Sequence, residues 1–194
     1  MDLKDSKTRE NLMRAFAGES QARNRYDIAS SVAKKEGLYV IEAVFKYTAN
    51  QEKAHAKVFF DMLRASTGEN INIEGSYPVE IYDKTLEHLK HAEHNELEEW
   101  GDVYKNFSEV AKGEGFQAIA TAFSNIATIE KNHADRFSKY ATDLGNGTLF
   151  TKQTEIQWIC TNCGFIYEGK DAPTNCPACF HPKGYFMEVQ GQLL

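Results

Sequence analysis

Two short motifs carry most of the chemistry open to this chain. Glu52-Lys-Ala-His55 and Glu130-Lys-Asn-His133 each set a carboxylate and an imidazole three residues apart, a spacing that puts both on one face of a helix. Phe45 and Phe59 stand seven residues to either side of Glu52, and Phe123 and Phe137 flank Glu130 in the same way. Each glutamate therefore falls in an apolar stripe, and a buried carboxylate is costly unless it is paired or bound to metal. One Glu-x-x-His alone is usually a surface pair. Two in matched phase, each inside an aromatic stripe, point to a shared metal site. The other helices should add carboxylates. Glu19 shares a face with Phe16 and Tyr26, while Glu93, Glu96, Glu98 and Glu99 compete for the role further along. Several carboxylates and two imidazoles around one cavity suit two iron or manganese ions, and the pattern matches that of di-metal carboxylate bundles.

The second constellation is Cys160-x-x-Cys163 with Cys176-x-x-Cys179, twelve residues between the pairs and no other cysteine in the chain. In a chain without a recognisable leader, two such pairs read as a metal site and not as disulfides. Each pair can wrap one ion with two thiolates, giving a tetrahedral sulfur site that suits structural zinc or iron. Gly164 permits the positive-φ turn that lets backbone N–H groups face sulfur. His181, two residues past Cys179, either tunes a sulfur or sits in a plain surface turn.

Helical periodicity covers residues 7–35, about 38–65, from 83 or 85 to 112, and 116 to about 144, broken at Glu36-Gly37, at residues 67–78, and at Gly113-Glu114-Gly115. The first two stretches repeat in the second two at a displacement of 78 residues: Tyr26 matches Tyr104, Glu36-Gly37 matches Glu114-Gly115, and Glu52 and His55 match Glu130 and His133. Two helix hairpins joined by a long crossover make an all-α four-helix bundle. Near Thr148 the composition turns to Cys, Gly, Pro and aromatics. The chain thus divides into a bundle, residues 1–147, and a small loop- and β-rich metal module, residues 148–194, whose core needs a metal as staple. The repeat slips at one place. A shift of 78 sends Glu19 to Leu97, whereas 77 sends it to Glu96, so one extra residue lies between Glu96 and Tyr104. A single π-type turn would absorb it and bring Glu96 to the cavity. In a regular helix, Glu93 would compete. His88, His91 and His94 are spaced as a partly solvated stripe.

The chain has 194 residues, 42% of them hydrophobic, and a net charge of −6. The acidic balance argues against nucleic-acid binding, and no apolar run reaches the roughly 20 residues of a membrane span. These features, with no secretory h-region at the start, make the cytoplasm the expected location.

The stretch Ala17 to Tyr26 (AGESQARNRY), Glu52-x-x-His55, Glu96-x-x-Glu99-Trp-x-x-x-Tyr104 and Glu130-x-x-His133 resemble the rubrerythrin family. The sequence around the cysteines, including Phe165-Ile-Tyr167-Glu-Gly169 and Cys179-Phe-His-Pro182, resembles that family's rubredoxin-like domain. The resemblance implies a ferritin-like di-iron bundle and a mononuclear Fe(Cys)4 centre on Cys160, Cys163, Cys176 and Cys179. It makes Glu52 and Glu130 bridging ligands, assigns Glu19 to one iron with Glu99 or His55 as its redox-dependent partner, and gives the other iron Glu96 and His133. Tyr26 and Tyr104 would donate hydrogen bonds to ligand carboxylates, and with Glu99 and His55 would shape catalysis. The implied activity is reduction of hydrogen peroxide to water in oxidative-stress protection, with electrons from a rubredoxin or an NAD(P)H-dependent reductase, in a homodimer. Ferroxidase or iron-storage action is the alternative.

Overall fold

The computed structural model describes residues 2–189; the outermost parts of both expected modules, Met1 and residues 190–194, lie outside the described residues. Helix α1 spans Lys7–Lys35 and begins at Ser6, whose hydroxyl accepts from the Arg9 amide (3.1 Å). Helix α2 spans Tyr39–Met62, ending three residues before the expected 65 because a 3-10 turn, Arg64–Ser66, takes over. The third helix of the bundle is composite. It runs as α3 (Thr85–Glu98), passes through a π turn (Glu99–Val103), and continues as α4 (Tyr104–Gly113). Helix α5 spans Gln117–Gly145. The π turn falls between Glu96 and Tyr104, where the slip in the repeat calls for an inserted residue. None of these helices is long and apolar enough to cross a membrane.

The repeat has a structural use beyond helix pairing. Gly37 (φ 73°) and Gly115 (φ 90°) end their helices in the left-handed region that glycine enters freely. The glutamate before each glycine crosses to the other repeat. Glu36 accepts from the Thr85 amide (2.8 Å) at the start of α3, and Glu114 accepts from the amides of Lys7 (2.9 Å) and Thr8 (2.8 Å) at the start of α1. Each hairpin end thereby caps the first helix of the other hairpin, tying the two halves together with a charge the helix dipole favours.

Aromatic side chains close the bundle on both sides of its middle. Phe45 and Phe137 meet at 5.3 Å with Tyr26 beside them, and the repeat-related Phe123 and Phe59 meet at 5.0 Å with Tyr104 beside them. These two layers bracket the space between. The crossover, residues 67–84, has no regular structure. It lies over α1 and α3, held by Arg14 donating to the Glu74 carbonyl (3.0 Å) and Asn95 donating to Glu80 (2.6 Å).

Past Gly145 the chain enters a three-stranded antiparallel sheet of order β2-β1-β3: β1 Thr151–Cys160, β2 Ile166–Asp171, β3 Phe186–Glu188. Trp158, Cys160, Ala172, Cys176 and Phe186 form its core, and the Trp158 indole donates to the Gly169 carbonyl (2.9 Å). The sheet is seated on the α1–α2 hairpin. Tyr185 stacks on Tyr39 (4.2 Å between rings, 15°) and Gly184 lies against the Gly37 backbone.

Candidate metal centres

Between the aromatic layers the four helices bring six ligand-type side chains together: Glu19 from α1, Glu52 and His55 from α2, Glu96 from α3, and Glu130 and His133 from α5. All are buried, His55 being the most exposed at 6%. They form two four-residue sets, Glu19–Glu52–His55–Glu130 and Glu52–Glu96–Glu130–His133, in each of which the ligand atoms lie within 4.8 Å of one another. The shared glutamates divide their oxygens between the two sets. Glu52 Oε2 is 3.2 Å from His55 Nδ1 and its Oε1 is 3.0 Å from His133 Nδ1; Glu130 Oε1 is 2.9 Å from His55 Nδ1 and its Oε2 is 2.8 Å from His133 Nδ1. The imidazoles face each other nearly parallel, 5.6 Å apart. This is a bridging arrangement for two cations.

The electrostatics ask for those cations. Burial first, then the charge of Glu130 and Glu52, pushes Glu19 well above the carboxylate range. Burial, with Glu52 and Glu130, raises Glu96 to about 8. Burial opposes the charge of Glu52 as well, but the neighbouring His133 and His55 imidazoles, 3.0 and 3.2 Å away, hold it at about 2. Burial opposes protonation of His133, yet contacts with Glu130, Glu52 and Glu96 carry it up to about 12, and His55 is raised in the same way. Fully ionised, the four carboxylates would exceed what two imidazoles can balance, which is why Glu19 and Glu96 are pushed toward the neutral acid. Glu19 Oε2, Glu52 Oε1, Glu96 Oε2, both Glu130 oxygens and His133 Nδ1 are buried without a hydrogen-bond partner. Orphaned buried groups of this kind need a partner, and two divalent cations would satisfy them all.

Around this cluster the tyrosines exchange sides. The Tyr26 hydroxyl, from α1, donates to Glu96 on α3, and the Tyr104 hydroxyl, from α4, donates to Glu19 on α1. Glu99 belongs to neither four-residue set. It opens the π turn and, with Tyr104, lines a cavity of about 270 Å³ beside the cluster, bounded by α1 and roofed by residues 74–78. Glu93 is also outside the sets, since the π turn presents Glu96 in its place. His88 is buried with Nε2 on the Tyr82 carbonyl (3.0 Å) and His91 stacks on Tyr82 (4.7 Å), so the His88–His91–His94 stripe serves packing and forms no metal cluster among the described residues.

Sequence reasoning passed over three residues behind His133. Gln51 Oε1 accepts from His133 Nε2 (3.1 Å) and from Arg136 Nη1 (3.0 Å), and Arg136 also donates to Thr48 Oγ1 (3.0 Å). A signal for them exists: they are positions where the repeat exchanges a polar residue for an aliphatic one.

The four cysteines meet at the tips of two knuckles, with Sγ–Sγ distances of 3.7 Å for Cys160–Cys179 and for Cys163–Cys176. Gly164 has φ 79°, as expected of the first knuckle, while the second uses Phe180 at φ 61° in the equivalent place. Backbone amides of Phe165 and His181 face Cys163 and Cys179. Thiolate charge is thus met by N–H dipoles, as a tetrahedral Fe(Cys)4 or zinc site requires. The His181 ring lies on the Cys179 carbonyl (3.1 Å) and on Asn162 (3.2 Å), whose amide reaches Cys179 Sγ (3.5 Å).

Comparison with known proteins places this geometry. The profile of the family described as Rubrerythrin matches residues 10–146, and that described as Rubrerythrin, rubredoxin-like domain, matches residues 158–187. The chain is 48% identical over 185 residues to a rubrerythrin of Clostridium perfringens, covering 95% of each. It is 47% identical over 188 residues to a rubrerythrin of Porphyromonas gingivalis, covering 97% of this chain and 92% of that one. Among solved structures, fully reduced, all-ferrous nigerythrin superposes with a TM-score of 0.63 at 27% identity, covering 95% of this chain and 90% of that one.

Proposed function

This chain belongs to the rubrerythrin family, and from that premise we propose that it is a non-haem di-iron peroxidase. In this reading it reduces hydrogen peroxide to water, with electrons entering through the Fe(Cys)4 module. The observation that carries the reading is the pair of four-residue sets sharing Glu52 and Glu130, with a cavity at Glu99 and Tyr104 alongside. Two irons held by these residues would supply an electron pair and Lewis acidity for cleavage of the O–O bond. Nigerythrin, solved in mixed-valence and all-ferrous states, shows that a protein of this fold holds iron in more than one oxidation state.

The chain's own groups do the rest. Glu52 and Glu130 would be shared by the two metals; Glu19 and His55 would complete one site, Glu96 and His133 the other. Tyr26 and Tyr104 hold Glu96 and Glu19 in orientation through their hydroxyls. Reduction of peroxide consumes two protons. Glu99, whose carboxyl is pushed well above the usual range by burial and by the charge of Glu19 and Glu96, stands on the cavity wall as the proton donor. The family resemblance also makes Glu99 the carboxylate that alternates with His55 as a ligand to the Glu19 metal. The aromatic layers bracket the cluster.

Residues 1–147 form the catalytic bundle and residues 148–194 the electron inlet. Within one chain the inlet sits at Tyr39, and Glu52 is thirteen residues farther along α2, about 20 Å away at 1.5 Å per residue. A head-to-tail homodimer, in which the module of one copy faces the bundle of the other, shortens that path. A rubredoxin or an NAD(P)H-dependent reductase supplies the electrons. Anaerobically reduced protein, mixed with one equivalent of hydrogen peroxide, should oxidise both bundle irons within one turnover and retain them. Oxidation no faster than with dioxygen, or deposition of the iron as mineral, would reject the peroxidase in favour of ferroxidase or storage chemistry.

A further inference from the structure

The 78-residue repeat relates the two histidines, yet their surroundings differ. Behind His133 stand Thr48, Gln51 and Arg136. At the repeat-related positions behind His55 stand Ile126, Ile129 and Val58. Three polar residues on one side answer three aliphatic residues on the other, within a cluster whose ligands are otherwise symmetric.

The polar set fixes one tautomer by elimination. The Arg136 guanidinium can only donate, so the Gln51 amide must turn its oxygen toward Arg136. That same oxygen faces His133 Nε2 at 3.1 Å, so Nε2 must carry the hydrogen. Nδ1, between Glu52, Glu96 and Glu130, is then the nitrogen that a metal ion would take. Thr48 and the Tyr47 ring, 5.1 Å from the guanidinium, hold Arg136 in place. His55 makes no such bond among the described residues: its contacts are through Nδ1 alone. The geometry points to Gln51, backed by Arg136, as a positioning residue that makes the His133–Glu96 side the tighter of the two metal sites. This rests on the cluster holding two metal ions and is independent of the peroxidase reading.

The test is a titration of metal-free, cysteine-reduced full-length chain with Co²⁺, followed by its visible spectrum. The cysteine site reports through its thiolate charge-transfer bands, and the bundle should then fill in two separable steps. Gln51→Leu should weaken the tighter bundle step 10- to 100-fold, the usual cost of removing the partner of a ligating histidine. The weaker step and the cysteine step should stay as they are. Gln51→Glu, which keeps the accepting oxygen, should restore the tight step, and His133→Ala should abolish it. Unchanged bundle affinities in Gln51→Leu, or equal weakening of both steps, would overturn the assignment. Fewer than two Co²⁺ in the wild-type bundle would overturn it together with the two-metal reading. A chain loaded with two bundle irons that shows no peroxide turnover would refute the peroxidase alone.

Discussion

At the scale of single residues, two side chains stand where their type is unexplained by packing. Glu99 is a carboxylate on a cavity wall, outside both four-residue sets. Glu99→Gln keeps the shape and removes the proton. It should still bind two irons in the bundle while the single-turnover oxidation by peroxide slows by roughly 100-fold, the usual weight of a positioned acid. A stopped-flow trace as fast as wild type would remove Glu99 from the proton path. Phe180 holds a left-handed backbone, φ 61°, with its ring 79% exposed. A bulky residue there costs about 1 kcal/mol or more of strain and recovers little by burial. Phe180→Gly should leave the Fe(Cys)4 spectrum intact and raise, or at least not lower, the melting temperature of the module.

At the scale of elements, the π turn and the cross-repeat caps do separate work. Deleting Gly101 should convert Glu99–Val103 to regular helix and turn α3 by about 100° relative to α4. Glu96 and Tyr104 could then no longer both face the cluster. Iron in the bundle should fall from two per chain to one, as metal analysis would show; retention of two would mean the turn is not what aims Glu96. The caps predict a pH signature. Burial works against the charge of Glu114, but the Thr8 hydroxyl and the Lys7 and Thr8 amides outweigh it and hold its pKa below the ordinary 4.5. A depressed carboxyl stabilises the fold above its unfolded pKa and loses that contribution as pH falls through the folded value. Glu114→Ala should therefore cost about 1 kcal/mol at pH 7. The gap to wild type should close below pH 4.5, read from denaturant midpoints across that range.

At the scale of the whole molecule, the metal module is seated on the bundle by a contact without tolerance. A Cβ on Gly184 would lie 1.8 Å from the Gly37 carbonyl oxygen. Gly184→Ala should unseat the module, break the Tyr39–Tyr185 stack, and expose residues 146–150 to limited proteolysis. The Fe(Cys)4 spectrum should persist, because none of the four cysteines lies on the Lys183–Tyr185 turn that makes that contact. Steady-state turnover with a reductase should fall while single-turnover oxidation of the bundle irons survives. Equal turnover would mean that the seating of the module has no part in electron delivery.

Much of this molecule was legible in the chain alone because its information is local and doubled. Glu-x-x-His inside a seven-residue aromatic bracket needs only helix periodicity to become a buried ligand pair, and its recurrence 78 residues later identifies the bundle. Two Cys-x-x-Cys pairs need only a tight turn to make a sulfur site. Even the π turn was readable, since one inserted residue leaves a mismatch in a repeat. Contacts between residues far apart in sequence were decided only in three dimensions. Nothing local in Glu114 says that it caps a helix beginning at Lys7, and Glu99 resembles Glu96 until the π turn sends one to the cluster and the other to the cavity. Gln51 and Arg136 are ordinary polar residues on separate helices. Only the packing of α2 against α5 brings both to the back of His133, where a donor that cannot accept fixes the amide, and the amide fixes the imidazole.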